Sequence, residues 1–126
     1  MPTQRNSEDR IALLQGTLDV LILKTLALGS THGQGIARLI QRQTEETFVV
    51  DHGSLYLALA RLEEKKWISA RWGVSANNRK ARFYTLTARG REQLVEKTGE
   101  WQRLSRAMER ILGAMENPGG LTDEEA

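Results

Sequence analysis

Cysteine is absent from the 126 residues, so the chain forms no disulfide, carries no thiol nucleophile and offers no thiolate to a metal. That fits a reducing cytoplasm. Histidine is scarce: His32 and His52 stand too far apart, without carboxylates at ligand spacing, to suggest a metal site. No apolar run reaches membrane-spanning length, and the polar start from Met1 to Asp9 lacks the apolar segment of a signal peptide. A cytoplasmic protein that avoids membranes is expected. Beyond scattered Ser, Glu and His there is no nucleophile, acid or metal set to place in a cleft. No catalytic residue, metal or cofactor is therefore assigned, and the chain is not read as an enzyme. Internal repeats are missing as well.

What remains is enough for one domain with one core and an extra element. A hydrophobic share of 40% and a charged share of 27% are those of an ordinary folded protein, which excludes global disorder. The net charge of +2 is too small to argue for nucleic acid, but its distribution is uneven. Between Arg61 and Arg91 lie Arg61, Lys65, Lys66, Arg71, Arg79, Lys80, Arg82, Arg89 and Arg91 against only Glu63 and Glu64. That concentration is an electrostatic footprint suited to phosphates.

Periodicity places the elements. Thr17 is expected to cap a first helix with Asp19 at its positive end, and Leu18, Val20, Leu21, Ile22, Leu23, Leu26 and Leu28 make it apolar nearly all round, hence central. Gly29 stops it. A second helix is expected from about His32 to Gln43, with Ile36, Leu39 and Ile40 facing inward and His32 hydrogen-bonding at its start. Phe48-Val49-Val50 is a brief extended run. Asp51 then offers an N-cap for a third helix through about Lys66, with Leu55, Leu59 and Leu62 on one face. Ser54, Leu57 and Arg61 are expected to point the opposite way, with Tyr56 on the flank.

Two strand-like runs follow, Trp67 to Val74 and Ala81 to Leu86, joined by the polar, basic stretch Ser75-Ala76-Asn77-Asn78-Arg79-Lys80. A helix followed by such a ribbon is what a winged helix-turn-helix uses to grip a duplex. Thr87 caps a last helix, from about Ala88 to Gly113, with Leu94, Trp101, Leu104, Met108, Ile111 and Met115 in a heptad-like seam broken by Lys97. At about 1.5 Å per residue it is far longer than a three-helix core requires, so it is expected to pack on a partner.

The fold class is therefore mainly α with a small β-ribbon, a winged helix-turn-helix plus a long C-terminal dimerisation helix. A flexible N-terminal arm is expected over 1–9, the DNA-binding domain over 10–86, the dimerisation helix over 87–115 and a disordered acidic tail over 116–126. The candidate DNA contacts are His52, Gly53, Ser54, Tyr56 and Arg61 on the third helix, and Asn77, Asn78, Arg79, Lys80 and Arg82 on the wing. Leu94, Trp101, Leu104, Met108 and Ile111 are the candidate dimer interface or effector pocket. A winged-helix protein-interaction module that never touches DNA, its basic ribbon serving an acidic partner, is the alternative.

The chain resembles the PadR family of bacterial transcriptional regulators. The resemblance rests on Gly16-Thr17-Leu18-Asp19, His32-Gly33-Gln34-Gly35-Ile36-Ala37, Gly53-Ser54-Leu55-Tyr56-Leu57-Ala58-Leu59 with Arg61-Leu62-Glu63, Trp67-Ile68, Asn77-Asn78-Arg79 and Phe83-Tyr84-Thr85-Leu86-Thr87 ending in Gly90. Gln34 stands where the family often has an aromatic, and Leu57 where it often has a proline. The resemblance implies a homodimeric repressor of double-stranded DNA, bound to an inverted-repeat operator and released by a small apolar or aromatic effector. It also implies that two copies of Trp101 face each other across the dimer axis.

Overall fold

The computed structural model describes the backbone of residues 11–12 and 15–116 and the side chains of 16–113. The arm expected over 1–9 lies outside these residues, as does the expected acidic tail apart from Glu116. The elements are β1 (Ile11–Ala12), α1 (Gln15–Leu28), β2 (Thr31–His32), α2 (Gly33–Gln43), β3 (Phe48–Val49), α3 (His52–Glu64), β4 (Ile68–Val74), β5 (Lys80–Leu86) and α4 (Ala88–Glu116). They divide into two compact units, the first ending at Leu94 and the second beginning at Val95 within α4.

Helix α1 is central because it is apolar on most of its circumference. Leu18, Ile22, Leu23 and Leu26 are buried, with Leu21 and Ala27 packed at the margin of the same cluster. Each fully buried Leu or Ile contributes roughly 1.5–3 kcal/mol relative to exposure. The helix begins at Gln15, so Thr17 lies inside its first turn and is not its cap. Asp19 is not a dipole partner at the helix end either. It is buried and bound to an arginine of α3.

Helix α2 starts as the spacing predicts. His32 is its N-cap, and its Nδ1 accepts from the backbone N–H of Gly35 at 3.1 Å. Ile36, Ala37 and Ile40 are buried, whereas Leu39 is only half-buried. Helix α3 is capped by Asp51, and Leu55, Ala58, Leu59 and Leu62 fill its core face. It ends at Glu64 rather than Lys66, with Lys65 as C-cap and Lys66 turning back at φ 65°.

Strands β4 and β5 pair antiparallel with Ala70 opposite Tyr84, Trp72 opposite Arg82 and Val74 opposite Lys80. The turn is closed by the Ser75 N–H on the Arg79 carbonyl at 2.8 Å, with Asn78 in the left-handed region at φ 63°, which asparagine tolerates well. Two pairings escape sequence periodicity. β2 adds a third strand on β5, with Thr31 opposite Tyr84, and β1 pairs parallel with β3. Two-residue strands are too short to show alternation.

Thr87 joins the ribbon to α4. Its Oγ1 accepts from the Gly90 N–H at 3.0 Å, and it lies 2.8 and 2.9 Å from the Lys66 and Trp67 carbonyls. Gly90 is buried where a Cβ would collide with the Trp67 carbonyl oxygen. Leu94 is half-buried and packs against the core of the first unit. In the second unit Trp101, Leu104, Met108 and Ile111 are all exposed, at 52%, 59%, 53% and 66%.

Candidate nucleic-acid interface

The N-terminal end of α3 is open. Asp51, His52, Gly53 and Ser54 are exposed, and the Asp51 carboxylate accepts from the Ser54 N–H at 2.9 Å and from its hydroxyl at 3.1 Å. The Ser54 backbone hydrogen bond, and then its hydroxyl, hold the Asp51 carboxyl below the usual carboxylate range. A lowered folded-state pKa gives stability that is present above the unfolded value and lost as pH falls through the folded one. Asp51→Ala is therefore expected to melt at a lower temperature than wild type at neutral pH, with the gap closing in acid. Thermal melts across that range check it, and a gap constant with pH would remove the cap from α3's stability.

Two ion pairs hold the far half of α3, one on each flank. Arg61 Nη2 lies 2.8 Å from Asp19 Oδ1 on α1, with side-chain exposures of 30% and 9%. Glu63 Oε2 lies 2.9 Å from Arg82 Nη2 on β5. Arg61 thus does not project from the outward face as its spacing from Leu59 and Leu62 suggests. It follows buried Ala58 by three residues, which puts it on the flank beside α1. Arg82 is likewise committed to a carboxylate rather than standing free on the wing. Leu57 and Tyr56 do lie outward, at 67% and 53% exposure.

Between α2, α3 and the wing lies a cleft of about 640 Å³. Its wing wall is the register pair Trp72 and Arg82, flanked by Lys80 and Tyr84. The Lys80 ammonium stands 5.0 Å from the Trp72 ring centre, and the Arg82 guanidinium 6.0 Å from the centres of both Trp72 and Tyr84. Burial pushes the Tyr84 phenol above its ordinary range. His32, Gln34 and Arg38 of the α2 end complete the opposite side with Tyr56 and Glu63. Asn77, Asn78, Arg79 and Lys80 are exposed at the wing tip, and among the described residues neither Arg79 nor Lys80 forms an ion pair.

Trp72, Gln34 and Arg38 were not among the residues the sequence nominates. Trp72 could have been found: alternation puts it and Val74 on one face of β4, and the Ser75–Arg79 turn sets them opposite Arg82 and Lys80. Gln34 and Arg38 carry no such local signal. Among the described residues no group of acidic and histidine side chains could hold a metal, and no helix is long and apolar enough to cross a membrane.

Three helices, a three-stranded wing sheet and a trailing long helix define a winged helix-turn-helix. The family model described as the transcriptional regulator PadR-like family matches residues 22–96. The chain belongs to the PadR-like family, and is thus a DNA-binding transcriptional regulator. It is similar to a transcriptional regulator from Clostridium thermocellum, at 28% identity and TM-score 0.70 over 76% of this chain and 93% of that one. A PadR family transcription regulator from hypervirulent Clostridium difficile R20291 is 29% identical with TM-score 0.65, over 75% and 97%. An uncharacterised protein of Lysinibacillus sphaericus is 27% identical over 107 residues, which are 85% of this chain and 98% of that protein.

Proposed function

We propose that the protein is a homodimeric repressor that binds an inverted-repeat operator and is released from it by a small apolar or aromatic effector. The observation that carries the DNA contact is the open end of α3, His52 to Ser54, in one unit with a wing whose tip exposes Arg79 and Lys80. A recognition helix docks through its N-terminal residues, where Gly53 permits close approach and the exposed His52 and Ser54 come nearest to base edges and phosphates. Tyr56 is half-exposed with its hydroxyl toward Gly33, suited to a backbone phosphate. Asn77, Asn78, Arg79 and Lys80 grip the sugar-phosphate backbone beside it.

The exposed stripe Trp101, Leu104, Met108 and Ile111 supports pairing of two copies through α4. Two heads would then reach half-sites roughly 34–36 Å apart. In that arrangement paired Trp101 rings offer flat faces to an aromatic effector, and its binding alters head spacing.

Replacing Arg79 and Lys80 with Ala tests the wing. Affinity is expected to fall alike for promoter DNA and arbitrary duplex, with the salt dependence flattened by about one unit per lost phosphate contact. An unchanged slope in a folded double variant removes the wing tip from the interface.

A further inference from the structure

We propose that Glu63 is an affinity-setting residue that withholds Arg82 from DNA phosphate and so weakens the sequence-independent part of DNA binding. This rests on the DNA-binding reading of the cleft and deepens it. Among the described side chains lining the cleft, Glu63 is the one carboxylate, set against Arg38, Arg79, Lys80 and Arg82. It is spent on Arg82 at 2.9 Å, the two side chains being 34% and 41% exposed, so both remain within reach of solvent and of a ligand.

Arg82 is otherwise equipped to hold a phosphate. Its guanidinium lies 6.0 Å from the ring centres of both Trp72 and Tyr84, only its Nη2 donates to Glu63, and its Nε is enclosed without a hydrogen-bond partner. A part-exposed guanidinium beside two exposed cations is a phosphate site on any sequence once its carboxylate partner is removed. The carboxylate cancels that charge and repels a phosphate that approaches it. Because phosphate contacts add affinity without reading bases, cancelling one costs operator and arbitrary DNA the same contact. Occupancy of DNA then falls by the same factor on every sequence, so the carboxylate sets how tightly the wing holds any duplex and leaves the operator-to-arbitrary ratio to the base contacts.

The test measures binding of the full chain to an arbitrary duplex and to the promoter fragment upstream of its own gene, over a range of salt. Glu63→Gln removes the charge and keeps the shape. It is expected to bind the arbitrary duplex roughly three- to tenfold more tightly at low salt, with the salt slope steeper by about 0.9 for the one phosphate that Arg82 gains. Glu63→Met/Arg82→Met removes both charges together, so the net charge of the cleft is unchanged and neither partner is left unpaired. Its slope is expected to equal wild type, because Arg82 neutralises no phosphate in the native protein.

A folded Glu63→Gln protein with an unchanged slope overturns the role of Glu63. So does a flattened slope in the double variant, which would make Arg82 a native phosphate contact. Should Glu63→Gln fail to fold, the double variant alone decides between these. Failure of wild type itself to bind either duplex would overturn the DNA-binding reading, a result distinct from both.

Discussion

Replacing Trp101 and Leu104 with aspartate is expected to leave a folded head that no longer self-associates. Neither side chain belongs to the core of the first unit, which closes with Leu94, and both are more than half exposed in the single chain. On the proposed pairing they occupy the centre of the interface, where large aromatics carry most of the binding energy. A buried aspartate facing its own copy adds repulsion and desolvation. A single head makes few base contacts, and losing the tethered second head costs roughly 10²–10⁴-fold in operator affinity through effective concentration alone. Sedimentation reports the mass and a footprint the half-site spacing. Wild type that stays monomeric at micromolar concentration, or a double variant with undiminished operator binding, would falsify the dimer.

The second large effect concerns stability. Gly90→Ala is expected to destabilise the first unit by about 3 kcal/mol or more, the upper end for overpacking. The added Cβ would collide with the Trp67 carbonyl oxygen and come within 2.6 Å of Leu86 Cδ1. The carbonyl cannot retreat cheaply, because it also accepts from the Thr87 N–H at 3.1 Å. Gly16→Ala is the control: nothing lies within 4 Å of its Cβ position, and a change within about 0.5 kcal/mol is expected. Denaturant titration of both variants checks the contrast, and equal midpoints would show that α4 can shift away from Trp67 without loss.

Much of this fold is legible in the chain because its signals are local. Asp51, His32 and Thr87 sit immediately before apolar-periodic segments, and each makes the capping hydrogen bond its position predicts. Leu55, Leu59 and Leu62 face inward as their spacing requires. What escapes is the long-range pairing. Arg61 and Asp19 are 42 residues apart, Glu63 and Arg82 are 19 apart, and neither partner can be chosen before the helices are packed. The same holds for Leu94. Its spacing from Trp101 fits a heptad, yet the place where the core stops depends on how far α1 and the wing extend.

The candidate site divides along the same line. Exposure of His52, Ser54, Arg79 and Lys80 follows from turn and cap chemistry, which a sequence displays. The ion pair of Arg82 with Glu63 is a tertiary fact, which its position in a basic run does not display.

Strand β5 carries a further consequence, for the order in which the protein is made. Tyr84 and Leu86 fill the core beside α1, and Thr31 and His32 become a strand only when Tyr84 and Phe83 arrive to pair with them. The head therefore cannot close while its N-terminal three helices alone have been synthesised. Until the return strand emerges, part of the apolar surface of α1 and α2 waits uncovered, which makes nascent chains stalled at the wing turn aggregation-prone.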